Sequence, residues 1–140
     1  MIINVTFPGG KRVDAAFDGR VLHTDQSPEH GGEGAAPEPY DLFLASLATC
    51  AGAYVLGFCH ARGLSSAQIQ LEQRARFDPA THRLESVEIE VTLPAEFPEK
   101  YRAPLLRAIE GCKVKKTLAS PPSFSVVART HAAPSVAPSV

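Results

Sequence analysis

Three cysteines stand at positions 50, 59 and 112, and two of them have surroundings suited to thiol chemistry. Cys50 lies in the most apolar stretch of the chain, residues 42–59. Cys112 follows a glycine in Gly111-Cys-Lys-Val-Lys-Lys-Thr-Leu118, with Lys113, Lys115 and Lys116 close by. Helix N-termini and neighbouring cations lower a thiol pKa and favour the thiolate, and both are expected around Cys112. A thiolate can attack a peroxide O–O bond and become a sulfenic acid, which a second thiol converts to a disulfide. Cys50 and Cys112 are about 60 residues apart, so only the fold can bring them together. The alternative for the same residues is a pair of buried cysteines acting as small hydrophobes.

A thiolate of this kind needs a cation to hold it ionised and a carboxylate to orient that cation. Lys11, Arg12 and Arg20 are candidate cations, and Glu33, Glu38 and Asp41 are candidate carboxylates. Cys59 is nine residues after Cys50. At roughly 100° per residue the two lie on opposite faces of one helix, so Cys59 is read as core packing. No Cys-x-x-Cys or His-x-x-x-His occurs, so no metal site is expected. His30 reads as a solvated loop histidine. Gly31-Gly-Glu-Gly34 reads as turn geometry, because no Gly-Lys-Ser/Thr follows it.

Short strands are expected over residues 2–7 and 13–24, with a hairpin at Asp18-Gly19. Residues 25–39 form a loop rich in Gly and Pro. A helix should start at Pro39 or Tyr40 and run to about Arg62, with proline in the first turn and Asp41 facing the positive helix end. Its apolar residues cover nearly every face, so it must be buried on nearly all sides. One small sheet cannot do that, and a second subunit is expected to cover the other face. Two strands follow, over 69–77 and 87–92, where Val87, Ile89 and Val91 alternate with Glu88, Glu90 and Thr92. An amphipathic helix over 98–110 ends at Gly111, a helical turn opens at Cys112, and a last strand is expected over 123–129. The domain is expected to occupy 1–130 and a flexible tail 131–140, where Ala-Pro-Ser-Val occurs twice.

At 140 residues, 44% hydrophobic and a net charge of −1, the chain has the material for one cored domain. No basic stripe interleaved with aromatics is present, so no nucleic-acid partner is expected. Residues 42–59 approach the length of a membrane span. They also carry Ser46, Thr49, Gly52 and Gly57 and read as a core helix, with no membrane partner expected. The start Met1-Ile-Ile-Asn-Val-Thr has no basic n-region, so a cytoplasmic location is expected.

Three segments together resemble the OsmC/Ohr superfamily of peroxide-related thiol proteins. Asp18-Gly-Arg-Val-Leu-His-Thr-Asp25 resembles its strand–turn–strand before a glycine loop. Gly34-Ala-Ala-Pro-Glu-Pro-Tyr-Asp-Leu-Phe-Leu-Ala-Ser-Leu-Ala-Thr-Cys50 resembles its first cysteine signature. Ala108-Ile-Glu-Gly-Cys-Lys-Val-Lys-Lys-Thr-Leu118 resembles its second, with Pro121-Pro-Ser-Phe-Ser-Val-Val as a closing strand. The resemblance implies an α+β, OsmC-like two-layer fold. It implies an intertwined homodimer with a buried central cysteine-bearing helix between β-sheets and active sites at the subunit interface.

By the same resemblance Cys50 is peroxidatic and Cys112 resolving, an organic hydroperoxide is reduced, and an external dithiol restores the thiols without a cofactor. Arg12 is the first choice for thiolate stabiliser and Arg20 the second, Glu38 is the Arg-orienting carboxylate, and Tyr40 and Phe43 are substrate-binding residues. The sequence departs from the family peroxidases at two positions. The Glu ten residues before the first cysteine is Tyr40 here, and the Pro that often follows the second cysteine is Lys113. This pattern resembles the OsmC-like branch. Two other functions are consistent with the residues: a non-catalytic dimer binding a small hydrophobic ligand, and, ranked last, a thiol hydrolase or transferase using Cys50.

Overall fold

The hairpin expected at Asp18-Gly19 is present in the computed structural model, which describes residues 1–130; the tail expected over 131–140 lies outside them. Asp18 and Gly19 have φ of 47° and 72°, the two positive values that a two-residue type I′ loop requires. The loop joins β2 (Arg12–Phe17) to β3 (Arg20–Thr24), and β2 also pairs with β1 (Asn4–Gly9). These three antiparallel strands form one sheet in the order β1-β2-β3. In register, Val13 lies opposite Thr24 and Phe17 opposite Arg20.

Helix α1 (Pro39–His60) begins where the sequence places it, with Asp41 accepting the Glu38 N–H at 3.1 Å. β4 (Gln70–Phe77) and β5 (Leu84–Thr92) then pair antiparallel, Leu71 opposite Val91 and Ala75 opposite Val87. The period of two separates their faces. Leu71, Ile89 and Val91 pack toward the core, while Glu72, Arg74, Glu88 and Glu90 stay exposed. Arg74 bridges Glu72 and Glu90 at 2.8 Å each across that outer face. α2 (Glu99–Glu110) follows, and α3 (Lys113–Ala119) starts directly after Gly111.

The core is made where α1 crosses α2 and β4–β5. Ala51, Val55, Phe58 and Cys59 of α1 are buried against Phe97, Leu105 and Ile109. The chain is therefore α+β, with two small antiparallel sheets and three helices among the described residues.

Within one chain α1 is only partly covered: Leu47, Ala51, Val55, Phe58 and Cys59 are buried among its 22 residues. Ala45, Thr49, Ala53, Leu56 and Gly57 line an exposed face, because β1–β3 does not pack over it. The strand expected over 123–129 is not formed. A strand exists only through a hydrogen-bonded neighbour, and among the described residues no sheet edge pairs with this segment. Phe124 and Val126 there are 88% and 98% exposed.

Candidate active site

The segment leading into α1 is tied by Asp25, a carboxylate only 1% exposed. Its Oδ1 accepts the N–H of Gln26 at 2.8 Å, and its Oδ2 accepts those of Glu33 and Ala35 at 3.1 Å. The Ala35 N–H is the main influence holding the carboxyl below its usual pKa; burial opposes it, and the Gln26 and Glu33 amides and the Arg12 charge add to it. Gly32 is needed for close approach. A methyl group there would collide with the Gln26 carbonyl and lie 2.9 Å from Asp25 Oδ1.

Glu38, the residue capping α1, accepts the Ser27 N–H at 2.9 Å and contacts His30 Nδ1 at 2.8 Å. The Ser27 hydroxyl, then His30 and the Ser27 amide, bring the Glu38 carboxyl down to about 2. The same contact with Glu38 raises the His30 pKa. These contacts fix the entry of α1 and so the line along which Cys50 is carried.

Cys50 lies near the middle of α1, at the margin between its buried and exposed faces, and is half-buried. The short elbow between α2 and α3 comes against it. Cys112, fully buried, is the residue preceding α3. The neighbouring Cys112 thiol is the largest influence lowering the Cys50 pKa. The backbone N–H groups of Val114 and Lys113 and the Lys113 charge lower it further, against partial desolvation. Both cysteines are free thiols. Cys59 is the opposite case: burial raises its pKa, opposed by the charge of Arg62.

Beside this pair lies an apolar cleft of about 430 Å³. Leu47, Ile89, Val91, Leu106 and Ile109 line it, with Lys115 at its rim. Leu47 is one turn before Cys50 on α1, and Ile109 is three residues before Cys112. A half-buried thiol of lowered pKa, a second thiol beside it and a nearby apolar cleft can together take an electrophile with an apolar tail and close a disulfide.

The family model for OsmC-like protein matches residues 31–127. The chain belongs to the OsmC-like family. Its fold is similar to that of a Psychrobacter arcticus 273-4 protein named for osmotic stress induction and detoxification response. That match has a TM-score of 0.70 and 24% identity, over 82% of this chain and 85% of that one. The OsmC-like protein from Mycoplasma pneumoniae has a TM-score of 0.68 and 14% identity, over 86% and 87% of the two chains. An organic hydroperoxide resistance protein OsmC from Legionella pneumophila has a TM-score of 0.57 and 22% identity, over 85% and 88%. No curated protein sequence matches the chain.

In this OsmC-like chain the two cysteines singled out from the sequence come together, and the charged pair expected beside them does not. Arg12 is exposed on the β1–β3 sheet and acts on Asp25. It forms no ion pair among the described residues. Glu38 does not orient an arginine, because its carboxylate is taken by His30 and Ser27. Arg20 is exposed beside the hairpin loop, and Lys11 packs beside Gly31. The cation that reaches Cys50 is Lys113. The start of α3 was expected to act on Cys112; its amides bear on Cys50 instead.

Tyr40 and Phe43 join Phe77 in an aromatic cluster, with ring centroids 5.5 Å and 6.2 Å from Tyr40. Phe43 shares the helix face of Cys50 two turns earlier, whereas Tyr40 is about 15 Å away along the axis. The sequence reading missed Asp25 and His30. Aspartate ahead of a glycine loop is a weak signal for Asp25, and nothing local marks His30 as the partner of Glu38.

Proposed function

We propose that this OsmC-like protein is a cysteine-based thiol peroxidase that reduces organic hydroperoxides through a Cys50–Cys112 couple. The observation that carries this reading is the juxtaposition of a half-buried Cys50, its pKa lowered, with a fully buried free Cys112 at the start of α3. The Cys50 thiolate attacks the distal peroxide oxygen. The O–O bond breaks, Cys50 becomes a sulfenic acid, and the alkoxide takes a proton to leave as an alcohol. The Cys112 sulfur then attacks the sulfenyl sulfur, the S–S bond forms, and hydroxide leaves as water with the thiol proton. An external dithiol returns both sulfurs to thiols by exchange. Lys113 and the two α3 amides stabilise the thiolate in this scheme, which removes the need for an arginine held by a carboxylate at position 40. Similar proteins carry hydroperoxide resistance in their names, in keeping with this chemistry.

The working unit in this reading is a cytoplasmic homodimer, with no nucleic-acid or membrane partner. The exposed face of α1 bears the small residues Ala45, Thr49, Ala53 and Gly57, which let a second helix approach closely, and the apolar Leu56. Residues 121–130 offer Phe124, Val126 and Val127, all exposed, to a sheet edge of a second copy. Cys50 borders that face, so each site would lie at the interface.

The apolar cleft favours one other reading, a dimer that binds a small hydrophobic molecule without turnover. Intact mass and peptide mapping after one equivalent of cumene hydroperoxide separate the two. A rapid loss of two hydrogens mapping to a Cys50–Cys112 bridge is the expected result. Unchanged mass in protein that stays folded would overturn the peroxidase reading and leave the binder.

A further inference from the structure

Gly111 is a glycine for reasons of space. Its φ of −68° and ψ of −4° suit any residue. A methyl group on it, however, would lie 3.3 Å from Cε1 and 3.8 Å from Cδ1 of Tyr54, and 3.0 Å from the Ala108 carbonyl oxygen. The Tyr54 ring thus fills the volume over Gly111. Tyr54 is four residues after Cys50 on α1, one turn along the same side, and Gly111 immediately precedes Cys112. One aromatic side chain therefore joins the helix that carries the first thiol to the elbow that carries the second.

The elbow itself is short and backbone-bonded. Gly111 N–H donates to Ala108 O and Cys112 N–H to Ile109 O, each at 3.0 Å. The chain then turns at Cys112, with φ −47° and ψ 124°, into α3. Ala53, Gly57, Phe58, Arg62 and Ala108 line the neighbouring surface, and the Tyr54 ring is the side chain of α1 that lies against Gly111.

We propose that Tyr54 is a positioning residue for the disulfide step: its ring, laid over Gly111, sets Cys112 against Cys50. The proposal rests on the thiol-couple reading, but it concerns geometry and can be tested without a hydroperoxide. In a glutathione redox buffer the two protein thiols and one glutathione disulfide exchange to give the Cys50–Cys112 disulfide and two reduced glutathiones. The position of that equilibrium measures the effective concentration of one thiol at the other. The ring, not the hydroxyl, makes the contact, so Tyr54→Phe should restore what Tyr54→Ala loses.

The experiment compares parent, Tyr54→Ala, Tyr54→Phe and Gly111→Ala by peptide mapping of the quenched equilibrium mixture. Tyr54→Ala should lower the effective concentration about tenfold, since small displacements of reacting groups are costly. Tyr54→Phe should stay within about twofold of the parent, and Gly111→Ala should fall toward Tyr54→Ala. Ultraviolet thiolate absorbance against pH is the second readout, with the Cys50 midpoint rising in Tyr54→Ala as the Cys112 thiol withdraws. Where Tyr54→Ala does not fold by circular dichroism, Tyr54→Leu is read in its place. An unchanged equilibrium in Tyr54→Ala, a Tyr54→Phe loss as large as that of Ala, or a parent that forms no Cys50–Cys112 disulfide would overturn the proposal. A parent that closes the disulfide with glutathione but not with cumene hydroperoxide would count against the peroxidase reading alone.

Discussion

Replacing Leu56 by glutamate tests whether a second copy covers α1. Leu56 lies in the middle of the exposed face and is 59% exposed. Burying the remainder is worth about 1.5 kcal/mol per copy, so about 3 kcal/mol per symmetric dimer, or roughly a hundredfold in Kd. A carboxylate in its place adds a desolvation cost of several kcal/mol per ion, for a total weakening of at least about 10⁴-fold. On a solvated face the same change would shift stability by no more than about 0.5 kcal/mol. Sedimentation equilibrium of both proteins at micromolar concentration reads the difference, with a dimeric parent and a monomeric variant expected. A parent that sediments at 15.0 kDa, or a variant with the parent's Kd, would refute the reasoning.

The pKa of Cys50 is lowered by Cys112, by the Val114 and Lys113 amides and by the Lys113 charge, so its alkylation rate should rise with pH through a midpoint below that of a free thiol. Lys113→Glu should move that midpoint up, as read by iodoacetamide labelling across pH. Cys50→Ser should abolish peroxide consumption, while Cys112→Ser should leave one turnover and block recycling; equal multiple-turnover rates in both variants and the parent would contradict the couple. The Glu38 carboxyl is at about 2 against an ordinary value of 4.5. Its contribution to stability is complete above pH 4.5 and lost as pH falls through the folded value. His30 is raised above 6.5, so its contribution is complete below 6.5 and lost as pH rises through that higher value. The urea midpoint of Glu38→Gln should therefore fall furthest below the parent's at about pH 5–6 and converge with it in strong acid; a pH-independent gap would show that the ionised carboxylate is not what matters.

Local chemistry was legible in the sequence, and chemistry made by assembly of distant groups was less so. Asp18-Gly19 announces a hairpin by itself, because the positive φ angles belong to those two residues. Pro39 and Asp41 announce a helix start for similarly local reasons, whereas Gly111 ends α2 in a conformation open to any residue. Cys50 and Cys112 could be named as candidates, but the role of the α3 amides was assigned to the wrong sulfur. Spacing puts Cys112 before α3 and cannot tell that another helix presents Cys50 to the same amides. Glu38 was read as a partner for arginine because a free carboxylate stood near the right place; the loop instead folds His30 and Ser27 onto it. The strand over 123–129 has the right residues and no neighbour, since β-pairing depends on an edge that sequence pattern does not supply.

In the proposed cycle the placement of Cys59 gives the oxidised protein a single identity. Three thiols permit three pairings, and each wrong bridge would be a product that the next round of reduction must sort out. The helix turns Cys59 to the side opposite Cys50, and its burial and raised pKa withhold the thiolate that exchange requires. A third sulfur is thus carried on the same helix as a reactive one without becoming a competitor. The external reductant would meet one bond and not a mixture, and repeated cycles would not accumulate scrambled chains.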